Sequence, residues 1–457
     1  MNKLNIRFLF SLCVALFHGM VLFHPLAIKA ETTLSLSTAI EIAHANDPWL
    51  MANQYEQDAL QLRSGAAAVL PDPRITLGLA NLAADSFQFS QENMTQLRLG
   101  VSQLFPKGET LTLQSKKLHL LSKQNPHLRM ERRRQIEKTV TLLWLDIVKS
   151  EASLRLIENN RSLFEQLVEI TEASYSSAYG STQQQDIVRA QLELSRLEDR
   201  VHKLEQNRVM KEEQLSQWLS GKFTEHYLNA SDARTVRLKI ESNSLPKLEL
   251  SQPTILQHDV TVNDRLITTL LMHPAVLTVD SMIDVSHTDI ELAKQQYKPQ
   301  WSINAGYAYR ADDPSGNNRA DLLSIGASFD VPLYTHKKQD KQLQAAVYNK
   351  ESIKTKKWLL LRKMLADFNA IKVELLQLNK RHDLYQQTLL PQMQAQAESA
   401  LNAYTNDEAD FAEVVRARID ALNAEIDNLN IEVEQHKAIA QLNYYLTQQN
   451  KVREEGK

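Results

Sequence analysis

The sequence predicts a mainly α-helical chain with a membrane β element, laid out twice on one plan: helix, two strands, very long helix, turn, helix. Three observations predict it. Glu109 to Ala178 runs about 70 residues with no glycine and one proline, Pro126, where ordinary globular helices run roughly 8–20 residues. Sequence marks recur in register. Asp47-Pro48 returns as His273-Pro274 and Phe105-Pro106 as Val331-Pro332, each 226 residues on. Ala178-Tyr179 returns as Ala403-Tyr404 at 225, and Val188-Arg189-Ala190 as Val415-Arg416-Ala417 at 227. Four such pairs across most of the chain mark an internal duplication. Finally, four runs of about ten residues alternate in polarity, the length of a tilted transmembrane strand.

Residues 1–30 read as a secretory signal. Lys3 and Arg7 make a basic start, Phe8 to Leu26 is mostly apolar, and Ala27-Ile28-Lys29-Ala30 fits a small-x-small cleavage site. The one cysteine, Cys13, lies inside it, so the mature chain is expected to hold no disulfide and no thiolate metal site. Loss of Lys3, Arg7 and Lys29 takes the formal charge from −3 to −6, which argues against a nucleic-acid binder. Beyond the signal no apolar run reaches 18 residues, so no transmembrane helix is expected.

The first repeat spans 31–220. Ser35-Leu36-Ser37-Thr38 opens a helix expected to reach about Val69, where Pro71 and Pro73 end it. Strands follow at about 74–82 and 95–104. Ile75, Leu77 and Leu79 alternate with Arg74, Thr76, Gly78 and Ala80; Leu97, Leu99 and Val101 alternate with Gln96, Arg98, Gly100 and Ser102. A long helical hairpin, 109–219, completes the repeat. Ile136, Val140, Leu143 and Ile147 step at coiled-coil spacing, and Ile187, Ala190, Leu194, Leu197, Val201 and Leu204 answer them beyond a turn at Ala178-Tyr179-Gly180-Ser181.

Residues 221–260 read as an irregular connector. The second repeat, 261–450, carries strands at about 301–310 and 321–331 and a hairpin over 336–446. Trp301, Ile303, Ala305, Tyr307 and Tyr309 alternate with small and polar residues, as do Leu323, Ile325, Ala327, Phe329 and Val331. Trp301, Tyr307 and Tyr309 suit an aromatic girdle. Pro391 interrupts the second long helix and is expected to bend it near its turn at Thr405-Asn406, marking this hairpin as the one that moves on opening. Residues 451–457 form a charged tail.

Four strands cannot close a barrel, and open edges in lipid leave backbone groups without partners. Several copies must pool their strands in a ring. Two copies give eight strands, whose interior is filled by side chains; three give twelve and leave a channel.

The duplicated plan, the strand pairs ahead of the long helices, the two turns and the hydrophobic-Arg-Ala step after each make the chain resemble the TolC-type outer-membrane efflux family over nearly its whole mature length. Leu70-Pro71-Asp72-Pro73, Asn81-Leu82, Met94-Thr95 and Gln103-Leu104-Phe105-Pro106 look most like its heavy-metal efflux branch. The resemblance implies a homotrimer with a 12-stranded β-barrel in the outer membrane of a Gram-negative-type cell. It implies a helical extension across the periplasm that docks on a periplasmic adaptor (membrane fusion) protein and an inner-membrane pump. The function implied is a passive duct of a tripartite efflux or type I secretion system, exporting small molecules or metal ions. Tyr179, Gly180, Ser181, Tyr404 and Thr405, at the two turns, are then the adaptor-contact candidates.

No catalytic set appears. The 13 histidines are scattered without H-E-x-x-H, no glycine-rich phosphate loop is present and the methionines do not cluster. The expectation is a non-enzyme with no cofactor and no dedicated metal site. The pore and gate candidates are Asp407, Asp410 and Glu413 at the second turn, because three copies around a narrow mouth make carboxylate rings that attract cations. Glu413 corresponds to Asp186 by the repeat. Arg416 departs from the family expectation of a further acid and is a candidate latch to a neighbouring acid. The competing class is a periplasmic coiled-coil adaptor or scaffold, which needs one hairpin flanked by small β modules rather than two hairpins each preceded by a strand pair.

Overall fold

The computed structural model describes residues 34–176, 183–220, 245–256, 264–313, 315–406, 408 and 410–446. The first repeat contains α1 (Leu36–Asn46), α2 (Pro48–Ala67), β1 (Arg74–Ala80), β2 (Gln96–Phe105), α3 (Thr110–Ser176) and α4 (Gln184–Leu219). The second contains α5 (Asp264–Leu271), α6 (Pro274–Gln295), β3 (Trp301–Tyr309), β4 (Leu322–Phe329), α7 (Gln339–Leu384), α8 (Leu390–Thr405) and α9 (Phe411–Tyr445). The signal segment and the turn residues Tyr179, Gly180, Ser181 and Asp407 lie outside the described residues.

At 67 residues α3 is about 100 Å long. It packs on α2 and α6 towards the strands and on α4 and α9 towards the turns. Three apolar clusters line this body. Ile136, Val140, Trp144 and Ile147 of α3 close on Ala39 and Ala43 of α1 and Leu215 of α4. Met364, Phe368 and Leu375 of α7 close on Leu266, Leu270 and Val276, and on Leu442 of α9. Near the turns, Ile157, Phe164 and Leu167 meet Ala397, Ala400, Val414 and Leu422.

One expectation is corrected here. The opening helix does not run unbroken to Val69. It stops at Asn46 and restarts at Pro48, with Asp47 extended between them and capping the new helix through the Trp49 N–H (3.2 Å). The second repeat breaks at the same place: α5 ends at Leu271, and His273 Nδ1 caps α6 through the Ala275 N–H (3.3 Å). Proline at the first position of a helix, behind a capping residue, is a helix start.

The breaks allow end-to-end stacking. Asn46 Nδ2 donates to the carbonyl of Leu219, the last residue of α4 (3.0 Å). His273 Nε2 lies 3.1 Å from the carbonyl of Tyr444, at the end of α9. In each repeat a long helix therefore runs beside two shorter ones stacked head to tail, and a side chain at the joint satisfies a terminal carbonyl that has no helical partner. Both joints also engage α3. Arg132 Nε binds Asp47 Oδ2 at 2.7 Å, with its guanidinium over the Trp49 and Trp218 rings. His273, fully buried, places Nδ1 3.6 Å from Glu131 Oε2, and the Tyr444 hydroxyl donates to Glu131 Oε1.

The second long helix is interrupted just ahead of Pro391, by a change of helix type rather than a gap. A π-helical turn, Tyr385–Leu389, joins α7 to α8, and the Leu390 N–H donates to the Tyr385 carbonyl. A proline ring crowds the carbonyl four residues back, here Gln387, and a widened turn makes room for it.

The four strands form one antiparallel sheet in the order β1-β2-β3-β4. Pairing of β2 with β3 sews the two repeats together. Register puts Ile75, Val101, Ala305 and Ile325 in one row and Leu77, Leu99, Tyr307 and Leu323 in the next. This apolar face is bare: Leu77, Leu323 and Ile325 are 71%, 75% and 77% exposed. Phe105, Trp301 and Phe329 share a row at the helical end, and Tyr309 stacks on Phe89 at the other. Gly108, at φ +52°, makes the turn from β2 into α3. A Cβ there would collide with Gln295 Oε1, which accepts the Glu109 N–H at 3.1 Å.

Burial holds the His273 pKa below its usual value. The unfolded chain then binds the proton more readily, so this histidine's contribution is complete above about pH 6.5 and is lost as pH falls below it. His273→Asn, which keeps a capping acceptor, is expected to cost about 1–2 kcal/mol at pH 7.5. It should also flatten the fall in Tm between pH 7.5 and 5.5 in thermal unfolding followed by circular dichroism.

Candidate functional site

The described candidate residues gather where α8 turns into α9. Helix α8 ends at Thr405, whose hydroxyl donates to the Asn402 carbonyl (2.9 Å). The Glu408 N–H reaches back to the Ala403 carbonyl at 2.8 Å. Phe411 anchors the turn: it is buried and meets the Tyr404 ring edge-on at 5.6 Å. Tyr404 is thereby half-buried in the body, while Thr405 stays exposed.

Asp410 caps α9 by its extended backbone (φ −76°, ψ 145°), but its side chain makes no cap hydrogen bond. Glu413 sits in the first turn of α9, exposed, with its backbone N–H on the Asp410 carbonyl at 3.0 Å. Buried Val414 and Val415 fix the helix face, which turns Asp410, Glu413 and Arg416 outwards together. The two acids sit at the first turn of the helix, where carboxylates suit the helix dipole, and Arg416 lies in the next turn. Arg416 makes no ion pair with an acid of its own chain among the described residues.

The first repeat treats the corresponding acid differently. The Gln183 N–H donates to Asp186 Oδ2 at 3.0 Å, and the Asp186 N–H donates to the Gln183 carbonyl at 2.9 Å. The carboxylate bond is the N3 half of a capping box; the backbone bond has its equal between Glu413 and Asp410 in the second repeat. Arg189 adds a distant ion pair at 4.0 Å. Asp186 is thus consumed by its own helix, and Glu413 is not. Spacing in the sequence aligns the two acids without revealing that difference: Gln183 and Asp410 are both extended, and only the Asp186 side chain turns back onto its own N-cap.

At the far end the long loops are bound to one another. Arg310 and Arg319 donate to the carbonyls of Asn93 and Glu92 (3.0 and 3.4 Å), and the Tyr307 hydroxyl donates to Asp321. Among the described residues no group of three His, Cys, Asp or Glu side chains is placed to hold a metal ion.

No protein-family model and no curated protein matches the sequence. Solved structures do. The chain superposes on the outer-membrane channel OprN with a TM-score of 0.72 at 15% identity, over 90% of this chain and 89% of that one. It superposes on CusC, described with conformational changes accompanying transmembrane channel formation, at 0.69 and 14% identity, over 90% and 91%. For the outer-membrane protein VceC of Vibrio cholerae the values are 0.68, 14%, 90% and 95%. The chain has the fold of these outer-membrane channels.

Replacing Asp186 by Ala is expected to cost about 1 kcal/mol, since it removes a capping partner. Glu413→Gln should fall within about 0.5 kcal/mol of wild type, as for an exposed side chain without a partner. Urea titration of the two variants side by side checks the difference.

Proposed function

We propose that the chain is the outer-membrane duct of a tripartite export system, a homotrimer that passes small molecules or metal ions passively from the periplasm to the outside. The observation that carries this is the sheet. It is open, antiparallel and bare on its apolar face, and it sits on a body with the channel fold. Alternating direction through four strands leaves β4 antiparallel to β1, so β4 of one copy can pair with β1 of the next without breaking the pattern. Twelve strands close the ring in this way, and the row of Ile75, Val101, Ala305 and Ile325 becomes part of its lipid belt. From the Trp301 row to the Tyr309 row is about 27 Å along a strand, or about 21 Å of height at a tilt of about 40°, so the two aromatic rows fall near the rims of the roughly 25 Å apolar band of such barrels.

Helix order follows from the same closure. Helix α2 leads into β1 and α7 follows β4, so α7 of one copy lies beside α2 of the next. Both carry large apolar side chains left bare in the single chain: Tyr348, Trp358 and Leu359 on α7, Tyr55 and Leu62 on α2. The turns would then face the periplasm, with Tyr179, Gly180, Ser181 and Thr405 proposed as the adaptor contacts. Asp410 and Glu413, with Asp407, are proposed to supply carboxylate rings around the entrance, and Arg416 of one copy to pair with an acid of its neighbour. An inner-membrane pump provides the energy. An adaptor role fits less well, because an adaptor has no use for a four-stranded sheet with one bare apolar face.

The mature protein is expected to be a detergent-dependent trimer that dissociates only on heating in gel electrophoresis; a water-soluble monomer refutes the proposal. Ile325→Arg, on the lipid belt, should cost about 2–4 kcal/mol in refolding into vesicles. Ser324→Arg, one residue along on the opposite face, should cost far less.

A further inference from the structure

The polar face of the sheet carries charge of one sign. Between the first and last paired rows it presents Arg74 and Arg98 among Thr, Ser, Asn, Gln, Gly and Ala, with Leu104 and Leu322 at its ends, and it bears no carboxylate. Both arginines are exposed. Arg98 stands in a row with Gly78, Ala308 and Leu322, and Arg74 in a row with Ser102, Asn304 and Gly326. Arg98 Nε donates to the neutral Gln96 Oε1 at 2.9 Å; neither arginine has an acid within ion-pairing distance among the described residues. At the helical end Asp330 is neutralised by Lys107 at 3.0 Å, and Asp72, two residues ahead of Arg74, lies outside the paired rows. At the other end, residues 81–95 and 310–321 hold five carboxylates against Arg310 and Arg319, so the sign reverses at the rim.

We propose that Arg74 and Arg98 form an anion-concentrating collar inside the barrel, selecting for solutes that carry a carboxylate, sulfonate or phosphate group. The proposal rests on the trimeric barrel argued above. In that ring the polar face lines the lumen, and three copies stack two tiers of three guanidiniums. Four residues of strand separate the tiers, about 13 Å. Twelve strands about 4.8 Å apart and tilted about 40° give a backbone radius of about 12 Å. Arginine side chains reach inward from that radius. The axis then lies within about one Debye length of the charges, about 8 Å at physiological salt, so screening does not erase their field. Guanidinium is also suited to bidentate hydrogen bonding with carboxylate and phosphate oxygens. Small neighbours, Gly78 and Gly326 above all, leave these side chains unobstructed: nothing lies within 4 Å of where their Cβ atoms would be. Asp410 and Glu413 lie a helix length away, about 100 Å, far beyond screening. The duct therefore has an acidic entrance and a basic barrel.

Thr76 lies on the polar face between the two tiers and reports on them. Thr76→Cys is made in the mature chain, where Cys13 is absent, and the purified protein in vesicles is treated with an anionic and a cationic methanethiosulfonate. Each rate is divided by that reagent's rate with free cysteine. The normalised anionic-to-cationic ratio is expected to be well above one at low salt and to collapse towards one at 1 M salt. Adding Arg74→Gln and Arg98→Gln should lower it about sevenfold, the effect of a potential change of about one kT; Arg→Lys at both positions should preserve it. A ratio unmoved by the two Gln substitutions overturns the collar. Ile75→Cys, on the opposite face, separates this from failure of the barrel itself. It should react with neither reagent, and if it reacts as fast as Thr76→Cys the barrel and the collar fall together.

Discussion

Unpaired backbone at the two edges of the sheet is the constraint from which the proposed assembly follows. β1 and β4 have seven and eight residues, and in an antiparallel ladder about half of them aim N–H and C=O away from the paired side. Water can satisfy those groups; hydrocarbon cannot, at several kcal/mol for each. Two edges bared to lipid would cost on the order of tens of kcal/mol, more than the roughly 5–15 kcal/mol by which a folded domain is stable. The apolar face, however, is suited to lipid. A chain with this sheet meets both conditions only where its edges are covered by another copy of the same strands.

Below the sheet the problem is different. A helix of about 100 Å has no compact core to enter and must be covered along its whole length. The chain covers α3 with relays of shorter helices. Joints in such relays expose terminal N–H and C=O groups, and the two repeats solve this alike: a capping residue ahead of a proline starts the new helix, and a side chain at the joint binds the carbonyl that ends the old one. Asn46 on Leu219 and His273 on Tyr444 are the two instances. The joints also anchor to adjacent residues of α3, Arg132 for Asp47 and Glu131 for His273. The polarity is inverted between repeats while the geometry is kept.

Much of this was legible in residue order. Strand alternation located all four strands because a sheet with two unlike faces imposes period two, broken only near the ends by Gln103, Leu104 and Leu322. The length of α3 was legible because glycine is missing from it. The joints were not read, although Asp47-Pro48 and His273-Pro274 marked the duplication; a proline one residue past a cap fits a helix start as well as a loop, and only the arrival of α4 or α9 at that point decides between them. At Pro391 the sequence pointed to a disruption and could not show its form. An added residue in the turn keeps the helix continuous, and that accommodation depends on the five residues before the proline. For the acids near the turns, spacing aligned Asp186 with Glu413, but whether a carboxylate is spent on its own helix depends on where its side chain turns, which spacing does not carry.

Departures between the repeats are therefore more informative than their agreement. Apolar seams, strands and stacked joints are common to both and account for the body. The free acids Asp410 and Glu413 against the capped Asp186, the π-turn and Pro391 against an unbroken α3, and the buried His273 against Asp47 all distinguish the second repeat. The first of these leaves carboxylates exposed at the start of α9, the second widens one turn of a long helix, and the third puts a buried imidazole where the first repeat has a carboxylate. In the proposed ring of three copies a group repeated by symmetry would meet its own kind across the axis, so each such departure would be multiplied threefold at one level. On that proposal a small asymmetry within the chain becomes a ring of like charges while the packing common to both repeats is kept.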